Sequence, residues 1–369
     1  MTRKANIINY LLTMALTLIS LFVIIFLCNE RYNENLANVI IKFVVGAIVA
    51  GFIHTLFHEL GHIVAGKKNG FVFSAVTIWF LKWFKLKNKI KFKFTMFGEE
   101  EGYTEMIPVC QDQMEIRLRN YAFGGLIASL IVMLIGVPSL FIVNLPAWVF
   151  CIWSMLFPIG VYFFFGNFLP ASNYGVRNDG GTIYGLKHND QSLTVAVNIL
   201  KIQAELYQGK TPSQVDKSLY FDLPQLPEDD LNFILLLNAR YLYYLDCEDF
   251  ENAKKITERL VSLIDEIPKE YRAPIMVDLL YNSCTFALNP HLADEITEDY
   301  EKFLNNVNTA TVVRAKLAYL TYIKGQTDCF DLFYNKGIKE ARRCQIKGLG
   351  LFETKLFDKM KKDCQSNID

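Results

Sequence analysis

No two of the eight cysteines form a C-x-x-C pair, and they are scattered from Cys28 to Cys364, so the sequence offers neither a thiolate metal site nor a disulfide framework. They read as reduced, several at apolar helical positions where free cysteine behaves as a small hydrophobe. Net charge is missing too. The 38 Lys and Arg balance 38 Asp and Glu, which argues against a nucleic-acid partner. Histidine is scarce, five in 369 residues, and no long apolar run occurs after Gly185. Apolar residues are what the chain has in excess: 52% are hydrophobic and 21% charged. A chain of this length suggests about two domains, so the excess must be concentrated in one of them.

It is concentrated in four runs. The first, Asn6 to Cys28, is long enough to cross a bilayer. A cleaved signal peptide is the alternative, but the apolar core is too long and no small-residue cleavage site precedes Glu30 and Arg31, which favours a retained span. The second run is Asn38 to Gly66. The third, about Tyr121 to Val143, and the fourth, about Pro146 to Leu169, are joined so closely that they must form an antiparallel hairpin. Arg3 and Lys4 precede the first span, and eight lysines without an acid lie from Lys67 to Lys93. The positive-inside rule therefore predicts a multi-pass cell-membrane protein with its N-terminus and everything beyond Leu169 in the cytoplasm.

Phe71 to Met106 fits neither a span nor an ordinary loop. "FVFSAVTIWFL" is too short to cross, and "KLKNKIKFKF", Lys85 to Phe94, alternates lysine with mostly apolar residues as a strand with one wet face would. The expectation is a β-hairpin on the membrane surface, its lysines available to anionic headgroups. From about His188 the chain turns polar and helical. Phe250, Ala253, Ile256, Leu260, Leu263 and Ile267 make one apolar stripe behind Asp249, a candidate N-cap. Runs near 275–288, 294–304, 311–323 and 330–343 repeat the pattern, and Ala239 to Ile256 looks like one tetratricopeptide unit. The expected architecture is an α-helical polytopic membrane protein of about four spans with a surface β-hairpin, residues 1–187, followed by an all-α soluble domain, residues 188–369.

The stretch "HTLFHELGHIVAG", His54 to Gly66, places three of the five histidines and a glutamate in the second span. Positions i and i+4 share a helix face, so His58 and His62 point together, with Glu59 one step round. In H-E-x-x-H the imidazoles can bind Zn²⁺ and the glutamate can act as general base. An ionisable residue inside a span marks a functional site by default. A catalytic zinc needs a third protein ligand, and the end of the fourth span, "GNFLPASNYGVRNDGGTIYGL", supplies Asp179, with His188 and Asp190 as competitors. His54, one turn before His58, is open to three readings: a fourth ligand in a resting state, a proton relay, or a support for the ligands.

H-E-L-G-H in one span, with N-x-x-P and then D-G at the end of a later one, resembles the site-2 protease family of intramembrane zinc metalloproteases. The resemblance covers about residues 38–186. It implies that His58, His62 and Asp179 hold zinc, that Glu59 activates water, and that Asn167 positions substrate or stabilises the oxyanion. "GGLIASL", Gly124 to Leu130, is similar to the family's small-residue motif, with Gly124 and Ala128 allowing close helix approach. The Phe71 to Met106 segment resembles the family's membrane-associated β-element. One departure is the spacing: eight residues separate Pro170 from Asp179, where the family has about four. No PDZ or CBS segment is recognisable.

The expected activity is hydrolysis of a membrane-spanning or hydrophobic peptide near the cytoplasmic face, the substrate presented as an extended strand. Two competitors are a non-catalytic membrane scaffold whose helical C-terminal domain recruits a protein partner, and a tethered zincin cutting cytoplasmic chains. The C-terminal domain itself shows no nucleotide loop, metal pattern or basic stripe.

Overall fold

The computed structural model describes residues 3–32, 35–86, 89–95, 102–173, 176–265, 267 and 269–366. It is 71% helical, with a small antiparallel sheet. Contacts divide it into two units. One comprises Met1–Lys85, Ile90–Met106 and Gln113–Leu193; the other comprises Leu86–Lys89, Ile107–Asp112 and Thr194–Asp369.

In the first unit, α1 (Arg3–Arg31) and α2 (Leu36–Lys68) precede four strands: β1 (Phe71–Ile78), β2 (Leu81–Leu86), β3 (Lys89–Phe94) and β4 (Tyr103–Pro108). Then come α3 (Met114–Gly136), α4 (Ala147–Ser154), α5 (Leu156–Phe168), a two-residue bridge between β5 (Ser172–Asn173) and β6 (Val176–Arg177), and α6 (Asp179–Lys187). Among the described residues, four segments are long and apolar enough to cross a membrane: Ala5–Arg31, Leu36–Lys68, Met114–Leu140 and Ala147–Phe168. Their outward faces expose large apolar side chains, among them Ile19 and Phe22 on α1, Ile41 and Ile48 on α2, and Ile127 and Ile131 on α3. So wide an apolar surface suits lipid rather than water.

Three expectations change. The segment from Phe71 to Met106 is not a hairpin but a sheet of order β3-β2-β1-β4, with residues 96–101 outside the described set. "FVFSAVTIWFL" divides because the chain turns at Trp79, whose φ of 55° lies in the left-handed region. The turn is fastened through the indole, which donates to Thr55 Oγ1 at 3.3 Å and meets Phe52 edge-on. β1 then pairs antiparallel with β2, Ile78 opposite Leu81 and Ala75 opposite Phe84. "KLKNKIKFKF" likewise covers the end of β2 and all of β3, with Lys87 and Asn88 between them outside the described residues. The fourth apolar run is two helices, because Pro158 has no N–H to give the Ser154 carbonyl and the ladder breaks at Met155. Helix α3 also begins at Met114, ahead of the apolar run, its first turns carrying Glu115, Arg117 and Arg119.

The close approach expected of Gly124 and Ala128 occurs between α3 and α2. A Cβ added at Gly61 would strike the Gly124 carbonyl, and one at Gly124 would strike Ala65 and the Gly61 carbonyl. No larger side chain fits this crossing.

The second unit consists of helices packed around apolar clusters, one of which includes Tyr241, Leu280, Val313, Leu317, Phe352 and Phe357. Leu231–Asp246 and Phe250–Ser262 form a helix–turn–helix, and Asp249 caps the second helix by accepting from the Asn252 N–H. That helix stops at Ser262; Leu263 and Ile267 stay buried beyond its end, so the apolar stripe outlasts the helix.

Candidate metal centre

Helix α2 sends the His58 and His62 imidazoles inward from one face, with Glu59 between them in sequence. All three are buried, at 7%, 5% and 4% exposure. The two Nε2 atoms lie 3.1 Å apart, and each is 3.4 Å from Asp179 Oδ2. Among the described residues these three form a group of ligand-type atoms all within 4.8 Å of one another.

The other imidazole nitrogens set the tautomers. His62 Nδ1 is 3.0 Å from the Tyr121 carbonyl, which only accepts, so Nδ1 carries the proton and Nε2 a free lone pair. His58 Nδ1 lies 2.9 Å from Ser129 Oγ, which can accept in the same way. Two ring lone pairs and a carboxylate oxygen then converge, and Asp179 Oδ2 is buried with no hydrogen-bond partner. Each buried acceptor without a donor costs about 1–3 kcal/mol, and an anionic one more. A cation among them removes that cost. Ligand atoms about 2.0–2.1 Å from a tetrahedral metal stand about 3.3–3.4 Å apart, close to the spacing here. Two imidazoles and a carboxylate suit a first-row divalent ion.

Helix α3 closes one side. Gly125 lies flat against both rings, since a Cβ there would come within 2.6 Å of His62 Cε1 and 2.8 Å of His58 Cε1. The Tyr121 ring stacks on His62 at 4.7 Å, and its hydroxyl donates to the Thr104 carbonyl at 2.9 Å. Thr104, on β4, donates its own hydroxyl to Glu59 Oε2 at 2.6 Å. Tyr121 thus links His62 to the strand that orients the glutamate.

Asp179 is the first residue of α6, and the residue before it holds the turn. Asn178 Oδ1 accepts from Gly181 and Ala171 N–H at 2.8 and 2.9 Å, while its Nδ2 donates to the Gly166 and Leu169 carbonyls at 2.7 and 2.8 Å. One carboxamide therefore ties the end of α5 to the start of α6. Helix α1 reinforces the same segment: Asn9 donates to the Pro170 carbonyl at 2.7 Å and Asn6 to that of Ser172 at 2.5 Å.

The competing ligands lie elsewhere. Asp190 pairs with Arg177 at 2.6 Å and accepts from the Ser192 N–H, and His188 stacks on Tyr184 with Nδ1 directed at that residue's carbonyl. His54 is fully buried outside the triangle; its Nε2 donates to the Leu156 carbonyl at 2.9 Å and its ring stacks on Phe163. Its Nδ1 is buried without a hydrogen-bond partner. Asn167 turns its carboxamide onto its own helix, donating to the Phe163 carbonyl at 3.0 Å, while its backbone carbonyl abuts Gly180. Sequence reasoning gave no role to Thr104, Tyr121, Gly125, Ser129 or Asn178. Three of them carry a usable signal: Gly125 and Ser129 sit at i, i+4 in "GGLIASL", and Asn178 immediately precedes the aspartate.

No family model, no curated protein and no solved structure matches the chain.

Proposed function

We propose that the chain is an intramembrane zinc metalloprotease of the kind its motifs resemble, the site-2 proteases, hydrolysing a peptide bond of a membrane-spanning or hydrophobic peptide at the cytoplasmic edge of the bilayer. The observation that carries this reading is the donor-free triangle of His58, His62 and Asp179 next to the buried carboxylate of Glu59. A zinc ion held by those three residues would supply the Lewis acidity that makes water nucleophilic near neutral pH and polarises the scissile carbonyl. Ser129 and the Tyr121 carbonyl keep the imidazole lone pairs aimed at the triangle. Thr104 occupies Glu59 Oε2, leaving Oε1 to take the proton of the attacking water and return it to the amide nitrogen as the C–N bond breaks. Asn167 gives one N–H to its own helix and keeps the other for a substrate carbonyl.

A helical substrate hides its carbonyls and must be presented extended. β4 is an edge strand, and its Thr104 touches the general base, so a substrate strand added to that edge would arrive beside Glu59. The helical second unit is then an interaction or regulatory module that recruits a protein partner.

The test is Glu59→Gln in the full chain, with a co-expressed single-span substrate and metal analysis of the purified protein. Cleavage should disappear while zinc content stays. Cleavage that survives would overturn the enzymatic reading in favour of a membrane scaffold.

A further inference from the structure

Between the first turns of α3 and the far end of α6 lies a cavity of about 410 Å³. Its apolar wall is Ile116 and Phe123 from α3 with Ile183 and Leu186 from α6, and its cations are Arg119 and Lys187. Neither cation has an ion-pair partner among the described residues. Glu115 adds one opposing charge to the lining, leaving the cavity net positive. Here α3 passes from the polar "MEIRLRN" into its apolar stretch, so the cavity straddles the border between charged and hydrocarbon-like surroundings. That is the depth at which a phospholipid's phosphate meets its acyl chains.

We propose that this cavity binds an anionic phospholipid, the phosphate between Arg119 and Lys187 and the upper acyl chain along Ile116, Phe123, Ile183 and Leu186. The lipid acts as a brace. Helix α3 carries Tyr121, Gly125 and Ser129 against the imidazoles, and α6 begins at Asp179, about 12 Å along the helix from Lys187. An occupant touching both helices sets their separation, and with it the reach of Asp179 toward His58 and His62. The bracing role rests on the metalloprotease reading; the lipid site does not. Free phosphate shares the headgroup chemistry but leaves the apolar wall uncovered.

The test uses the full-length protein in detergent, with native mass spectrometry of retained phosphatidylglycerol against phosphatidylcholine, and photoactivatable phosphatidylglycerol to map the contact. Wild type should retain phosphatidylglycerol preferentially and cross-link within residues 115–123 and 183–187. The double variant Arg119→Gln, Lys187→Gln should weaken retention about thirtyfold, at about 1 kcal/mol per cation. Lys91→Gln, on the exposed strand β3, should change it little. Equal loss in Lys91→Gln, undiminished retention in the double variant, or labelling elsewhere would overturn the site. Protection from labelling by inorganic phosphate alone would replace the lipid with a free anion. Zinc loss to a chelator should be faster in delipidated wild type, and an unchanged rate would overturn the brace. If Glu59→Gln left cleavage intact while the lipid results held, the protease reading alone would fall.

Discussion

In the second unit Arg314 is completely buried between two carboxylates: its Nε donates to Glu353 Oε2 at 2.8 Å, its Nη2 meets Asp278 Oδ1 at 3.2 Å, and its plane lies 4.0 Å from the Tyr281 ring centre. Thr311 adds a hydrogen bond to Glu353, and only the guanidinium Nη1 is left without a partner. In the first unit His58, His62 and Asp179 also bring polar groups out of water, but every converging atom is an acceptor. The first cluster contains its own cation and reads as architecture. The second has none, and its atoms could hold a metal ion. Both are buried and both hold carboxylates, so burial and charge alone do not distinguish a core from a site; the balance of donors and acceptors does.

That contrast can be broken experimentally. The largest effect is expected from Asp179→Ala, which removes one acceptor of the candidate metal site: cleavage and bound zinc should both vanish while hydrogen-exchange protection around Arg314 is unchanged. Retained zinc would remove Asp179 from the ligand set. Next, Arg314→Leu strands Asp278 and Glu353 and should destabilise the helical unit by about 3–5 kcal/mol, read by denaturant-dependent proteolysis, without altering zinc content. A smaller change is expected at Thr104. Loss of a hydrogen bond to a charged group, about 1.5–3 kcal/mol, predicts that Thr104→Val lowers kcat at least tenfold with zinc intact and that Thr104→Ser restores it.

The smallest effect is one of pH. Burial pushes the Asp278 carboxyl up from 3.8 to about 6, against the opposing pull of Arg314. The folded unit therefore binds a proton between about pH 4 and 6 that the unfolded chain releases. Its stability should rise as pH falls through that window, by at most about 1.4 kcal/mol per pH unit, and this gain should be absent above about pH 6. Asp278→Asn should flatten the dependence in urea titrations, and an unchanged slope would assign it to another group.

The spans and the four residues His58, Glu59, His62 and Asp179 were legible because hydropathy and i, i+4 spacing are one-dimensional signals. The support around them was not. Ser129 and Thr104 lie 71 and 45 residues from the side chains they hold, and a lone hydroxyl in an apolar stretch looks the same whether it bonds its own helix or another. The Tyr121 contribution to His62 is a backbone carbonyl, which has no residue signature. The turn at Trp79 was invisible for a similar reason: no glycine or asparagine marks it, and its left-handed backbone is held by contacts from α2. The sequence favours Asp179 over Asp190 by its place at the end of the fourth apolar run and by the D-G resemblance, whereas the structure separates them by pairing Asp190 with Arg177.

The break at Met155 makes the fourth candidate span a jointed rod rather than a beam. Bending strain concentrates where one ladder bond is missing, and the joint is crossed by the His54 contact to Leu156. In a bilayer, the short piece Ala147–Ser154 would be free to tilt as the thickness changed. The longer piece, Leu156–Phe168, leads to the Asn178 tie and Asp179, so a tilt taken up at the joint would leave the ligand geometry in place.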